Sequence, residues 1–241
     1  FILLQESKGA ERTGHTSPNH RITPRLSQVL EQHDHSRIFI SVYTQSVYRI
    51  QEIIDCCIEY NRRMLFYTKE LQELVSYLEE LGYEVPKELI VDPKSLDNDM
   101  RDLVVICSGQ GKSLFKMISN IANNEVDEID FDSDDVIVIA SPVVPGVEQE
   151  FKSMENDIYK EEGKIIVLDK NVLSMHPSKE DLKMMIFLMK PKYYIPVKGE
   201  YRLLHMNSEI ALEMGYSPSK ILILDNGQVA TFENGKLKSC S

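Results

Sequence analysis

Five short apolar runs separated by segments of helical periodicity constrain this chain more than any other feature. Arg37–Tyr43, Met64–Tyr67, Leu103–Cys107, Asp135–Ala140 and Lys164–Leu168 are β-rich and nearly continuous in apolar character. Between them, Val47, Ile50, Ile54 and Cys57 recur at steps of three or four, as do Leu71, Leu74, Val75 and Leu78, and Val147, Phe151, Met154 and Ile158. Such spacing predicts helices over Val47–Tyr60, Glu70–Leu81 (closed by Gly82), Ser113–Ala122 and Val147–Lys160. Strands that are apolar throughout belong in a sheet covered on both faces. Strand and helix in alternation therefore predict right-handed βαβ units, an α/β class and a mainly parallel sheet. Ligands of such sheets bind beyond the carboxyl ends of the strands. That puts Tyr43–Ser46, Thr68–Lys69, Ser108–Lys112, Ser141–Gly146 and Lys198–Glu200 on the functional rim.

The last third changes character. Ser178–Lys190 is predicted as a helix capped by Ser178 with Asp181 three residues on, stopped by Pro191. Tyr193–Val197 is a strand, and Glu200–Met214 a helix ended by Gly215. Ile221–Leu224 and Gln228–Phe232 flank Asp225-Asn226-Gly227, which predicts a hairpin. The Ser-, Thr-, Pro- and His-rich stretch after Leu4 is expected to be a loop of some 20 residues.

Composition narrows function. With 42% hydrophobic and 27% charged residues, 241 residues bury a sizeable core in one large domain or two smaller ones. No apolar run reaches the roughly 18–20 residues of a membrane helix, so no membrane association is expected. Beginning at Phe1 without a methionine, the chain is expected to be a fragment. Cys56, Cys57, Cys107 and Cys240 lack metal-finger or disulfide-framework spacing, which favours a reducing cytoplasm. A charge of −11 argues against nucleic-acid binding by the whole surface but leaves room for a local basic cleft.

Several stretches invite chemistry. Gln110-Gly111-Lys112-Ser113 follows a strand and opens a helix, as a phosphate loop does, but Ile106 stands where the first glycine belongs. His33-Asp34-His35 begins like H-x-H-x-D-H, with Arg37 and Ile38 in the next required places; a solvated loop is expected. The seven carboxylates from Glu125 to Asp135 lack the glycine and glutamate of a calcium loop and read as a solvated connector. Ser174-Met175-His176-Pro177-Ser178 joins a strand to a capped helix. Hydroxyls, a histidine and helix N–H groups would converge there, which suits an anion.

The motifs then carry a resemblance. "SMHPS", a helix and "KPKYYIPVKGEYR" resemble the S-G-H-[GA]-S … K-P-K-Y-F-I-P-V-H-G-E-Y-R pattern of ribonuclease J, a β-CASP member of the metallo-β-lactamase superfamily. "LLQESKGAERTGHTSP", "VYRIQ" and "VVICSGQG" are similar to further segments of that family. The resemblance implies a metallo-β-lactamase strand over 1–8, a β-CASP domain over 9–170 and a return to the metallo-β-lactamase αββα fold over 171–241. Its first half would precede Phe1. It implies RNA hydrolysis, 5′ to 3′ exonucleolytic and endonucleolytic, through two divalent ions (Zn, Mn or Mg). RNA and a paralogous ribonuclease J subunit are the implied partners, in a homo- or hetero-oligomer.

Site residues follow from the same match. Glu6 and His176 take the catalytic positions, and Ser174, His176, Ser178, Lys198 and Arg49 those that hold RNA phosphates. Val172 replaces one histidine, Tyr48 another, Met175 a glycine, and Lys69 lies near a lost G-R-S arginine. Lys198 stands at a metal-ligating histidine, and an ammonium repels a cation. No metal ligand is therefore assigned. The degenerate site fits the second of the two ribonuclease J paralogues that some bacteria carry. RNA binding with weak or lost cleavage is expected; a fully active Mn- or Mg-dependent ribonuclease and a nucleotide-binding α/β module centred on Lys112 are the alternatives.

Overall fold

The computed structural model describes residues 1–16, 21–97, 99–169, 172–173 and 176–240. The chain forms two compact units, Phe1–His20 with Ser174–Ser241, and Arg21–Leu173.

The unit Arg21–Leu173 is the parallel sheet anticipated from the alternation. Its helices are α1 (Thr23–Gln32), α2 (Val47–Glu59), α3 (Lys69–Glu80), α4 (Gly111–Ala122) and α5 (Glu148–Lys160). With β1 (Ile2–Glu6) in the other unit, its strands are β2 (Ile38–Tyr43), β3 (Arg63–Phe66), β4 (Leu103–Gly109), β5 (Val136–Ile139) and β6 (Lys164–Val167). They lie in the order β3-β4-β2-β5-β6, all parallel. Alternate residues of β2 enter different cores. Ile38, Ile40 and Val42 pack with α1, α2 and α3, whereas Phe39 and Tyr43 pack with α4 and α5. Both faces are thus covered, which explains why β2, β4 and β5 read as unbroken apolar runs.

Two departures from the sequence reading have plain causes. The loop expected over some 20 residues after Leu4 gives way at Thr23 to helix α1; Pro24 sits in its first turn, where the missing N–H is harmless, and Leu26, Val29 and Leu30 are buried. The acidic connector is not uniformly solvated. Asp135 is fully buried, and Arg37, 1% exposed, grips it through Nε at 3.1 Å and Nη2 at 2.6 Å. This pair ties the start of β2 to the start of β5. Arg62 closes the same end of the sheet by donating to the carbonyls of His33, Asp34, Ser36, Arg101 and Asp102.

In the other unit β1 pairs in parallel with β7 (Tyr193–Val197), covered by α6 (Lys179–Met189) and α7 (Tyr201–Glu213). The hairpin is one turn later than expected. Strands β8 (Ala230–Glu233) and β9 (Lys236–Cys240) close around Asn234-Gly235, both at positive φ, the geometry that an Asn-Gly turn supplies. Ile221 instead bridges to Tyr194, so that segment extends the β1–β7 sheet. No described helix is long and apolar enough to cross a membrane.

Candidate functional site

The β1–β7 register brings Glu6 opposite Val197, so both strands end at one edge. Glu6 closes β1, and Lys198 follows β7 immediately. Lys198 has φ +56°, a left-handed turn that lets Gly199 and α7 follow at once. Its Nζ lies 3.4 Å from Glu6 Oε2. The other carboxylate oxygen is in direct contact with His176 Nδ1.

His176 is held there by a close backbone approach. The chain turns after β1 through Ser7–Ala10, and a Cβ at Gly9 would lie 1.7 Å from the Pro177 carbonyl oxygen. Only glycine permits that contact. Beneath the site a buried polar network fixes the end of β1. Asn207 Nδ2 donates to the Glu6 carbonyl at 3.2 Å and to Ser7 Oγ at 3.0 Å. Asn207 Oδ1 and Gln5 Oε1 lie 2.6 and 2.8 Å from the Tyr194 hydroxyl.

Charge around this edge departs from the acidic whole. Burial chiefly, and then Lys8, Lys198 and Arg12, hold the His176 pKa below the usual 6.5 against the opposing pull of Glu6. Burial and these cations thus disfavour the protonated imidazole. Lys8 and Arg12 escaped the sequence reading, although both lie in the segment that carried the resemblance. Their signal is two cations within six residues of Glu6, in a chain of net charge −11.

The remaining expected residues fall as follows. Ser174 lies outside the described residues. Ser178 is buried; its N–H donates to Asp181 at 2.9 Å, and its Oγ lies 3.3 Å from Thr16 Oγ1. The first-turn N–H groups of Lys179 and Glu180 go to the carbonyls of Arg12 and Gly14. Those amides are used internally, so side chains, rather than a helix N-terminus, present charge at this edge. Arg49 lies in the parallel-sheet unit, buried, with Nη1 3.1 Å from the Ala140 carbonyl. Val172 packs against the α1–α3 core. Tyr48 and Lys69 are exposed. Lys112 is paired with Glu150 at 2.6 Å, and Ile106 lies buried in β4 rather than in a loop, so no phosphate loop forms.

The donor set can be weighed against the two divalent ions that the resemblance implies. No group of three or more His, Cys, Asp or Glu that could hold a metal occurs among the described residues. Glu6 and His176 are two donors with an ammonium facing them. These residues alone do not fit a pair of divalent cations, which need several oxygen or imidazole ligands free of a competing positive charge.

Residues 35–158 match the family model "Ribonuclease J, beta-CASP domain", and residues 146–219 match "Zn-dependent metallo-hydrolase RNA specificity domain". The chain is similar to Ribonuclease J2 of Bacillus subtilis (strain 168), 31% identical over 241 residues, covering 99% of this chain and 43% of that protein. It is also similar to Ribonuclease J 2 of Staphylococcus aureus (strain NCTC 8325 / PS 47), 27% identical over 239 residues, covering 98% and 42%. The chain thus spans less than half the length of the curated relatives it matches. With a family model matched over more than half of the residues and a β-CASP-like parallel sheet beneath it, the chain belongs to the ribonuclease J family.

Proposed function

We propose that this chain is the RNA-gripping part of a ribonuclease J-type protein of cytoplasmic RNA decay and processing, whose own metal-dependent cleavage is weak or lost and which works beside an active paralogue. The observation that carries the reading is Lys198 Nζ, 3.4 Å from Glu6 Oε2. A fixed cation there takes the place of an imidazole that could share a metal with Glu6 and His176. With Lys8 and Arg12 it makes a local cationic edge suited to phosphates. The buried Asn207–Tyr194–Gln5 network holds that edge rigid, so little ordering is required on binding. The rival reading, a fully active Mn- or Mg-dependent nuclease, draws on the contact between Glu6 and His176, which are two possible donors to a metal.

The test is made in the full-length protein. Each phosphate contact on a single strand contributes about 0.7 to the slope of log K against log salt. Lys198→Ala should therefore weaken binding of a short RNA and flatten that slope by about 0.7. Lys198→His should raise Mn-dependent cleavage if the other ligands survive. An unchanged salt slope would remove Lys198 from the RNA contact. Two tightly bound divalent ions per wild-type chain, with brisk RNA hydrolysis, would establish the rival.

A further inference from the structure

Helix α6 is apolar on every side. From Leu182 to Met189 its only polar residue is Lys183. A helix of that composition is covered all round in a stable protein. Here the core shared with β1, β7 and α7 takes only Leu182 and Ile186. Met184, Met185, Phe187, Leu188 and Met189 are 44–65% exposed. At about 3.6 residues per turn, Met184 and Leu188 lie one turn apart on the side opposite Leu182 and Ile186. Single apolar residues on a surface are ordinary, whereas a contiguous patch of this kind marks a contact with another surface.

Opposite charges close the two ends of the patch. Glu180 precedes Met184 by one turn on the same stripe. Lys190 ends the helix, its Nζ 5.8 Å from the centroid of the Phe187 ring, and it has no carboxylate partner among the described residues. Two such helices laid antiparallel, Met184 of each against the partner's Leu188, bring each Glu180 within a turn of the partner's Lys190. The two macrodipoles then oppose one another, which also favours the pair. A parallel pair would instead set like charges together.

Area points the same way. A side chain the size of Phe187 carries roughly 150–250 Å², so the five expose on the order of 500 Å² of apolar surface. One side of a standard protein–protein interface covers about 800 Å², roughly 60% of it apolar. The α6 face supplies that apolar share. A lipid surface fits less well, because Lys179 and Lys183 are committed to Glu213 and Glu180 at 2.8 and 3.0 Å and leave no excess of positive charge at the rim.

We propose that the exposed face of α6 is an isologous interface with a second copy of this chain, the two helices packing antiparallel about a two-fold axis beside Met184 and Leu188, with Glu180 facing the partner's Lys190 at both rims. The assignment does not rest on the RNA reading.

Sedimentation velocity of the full-length protein tests this. Wild type should be dimeric. Leu188→Asp should raise the dimer dissociation constant roughly a hundredfold or more, because the two-fold buries the new carboxylate twice. Leu188 is 65% exposed in the single chain, so the thermal midpoint of dilute, dissociated protein should hold. Glu180→Lys and Lys190→Glu should each weaken the homodimer about tenfold by setting like charges together at both rims. Mixing these two variants should restore wild-type association, because each rim then pairs a lysine with a glutamate. A monomeric wild type, a Leu188→Asp constant equal to wild type, or a mixture no tighter than either variant alone overturns the interface. A midpoint lowered by Leu188→Asp at unchanged mass overturns it in favour of cover by the protein's own chain. Flotation of monomeric wild type with phosphatidylglycerol vesicles, lost in Leu188→Asp, overturns it in favour of a lipid surface.

Discussion

Replacing Arg37 with methionine keeps most of the side-chain length and removes the charge. Asp135, fully buried, then loses its two guanidinium bonds of 3.1 and 2.6 Å. What remains to it is the Asp132 N–H at 3.0 Å and Arg101 Nη1 at 3.6 Å. Breaking a buried pair in this way costs about 3–5 kcal/mol. At about 2–4 °C per kcal/mol for a unit of this size, the midpoint should fall by roughly 6–20 °C. The chain has no tryptophan, so far-UV circular dichroism in urea is the suitable assay. The loss should also depend on pH. Burial raises the Asp135 pKa above 3.8 even with Arg37 in place. A carboxyl raised in the folded state binds protons more readily than when unfolded, so stability falls as pH rises through that window. Removing Arg37 widens the window, and the penalty should be smaller at pH 5 than at pH 8. The double variant Arg37→Met/Asp135→Leu should regain more than half of the loss, since no charge is left buried. A single-variant loss under about 1 kcal/mol, or a double variant as poor as the summed singles, would show that the pair does not hold β2 to β5.

Three further outcomes are expected. His176 and His33 both have pKa values lowered chiefly by burial, so the unfolded chain binds protons first and stability should decline as pH falls below about 6.5; replacing either with asparagine should flatten that limb in thermal melts. Gly9→Ala forces a Cβ into the Pro177 carbonyl and should move His176 off Glu6, lowering the midpoint and reducing RNA affinity together; unchanged affinity would detach His176 from the interface. Lys198→Gly should leave stability within about 1 kcal/mol of wild type or raise it, because relief of a left-handed non-glycine residue offsets an exposed ion pair worth about 0–1 kcal/mol.

The parts of the fold that were legible in the sequence are those with local causes. Runs such as Val104–Cys107 must lie between two helical layers, and the 3.6 period of Val47–Cys57 fixes the face that covers them. Helix α1 was missed because its apolar stripe, Leu26, Val29 and Leu30, is short and begins where the Ser-, Thr-, Pro- and His-rich stretch ends. Hairpin placement failed because two Asn-Gly pairs lie eight residues apart, and only pairing between Thr231 and Ser239 decides for the second. The burial of Asp135 depends on Arg37, far away in sequence. Likewise, Asn207 gave no sign of its bonds to Glu6 and Ser7, because a polar residue on an apolar helix is informative only once its partners are known. Lys198 and His176 stood out by their places at a strand end and before a capped helix, whereas Glu6 came from motif resemblance alone.

Lys198 shows why that distinction matters for function. A lysine held at φ +56° is strained by about 1–2 kcal/mol relative to the extended or helical regions. Its contact with Glu6 is 3.4 Å long and the ammonium is mostly exposed, so solvent screens the attraction to a fraction of that amount. Stability alone would place glycine or asparagine there, as it does at Asn234 and Gly235 in the hairpin. Lys190 and Glu162 hold positive φ as well, so strain by itself assigns Lys198 no role; what distinguishes it is the carboxylate beside its charge. Beside Glu6, and with Lys8 and Arg12 acting on the same imidazole, that charge faces a site able to accept an anion. A metal ion would be repelled from this position, whereas a phosphate would be attracted to it. The turn after β7 thus sets an ammonium beside Glu6, the arrangement on which the proposed RNA contact rests.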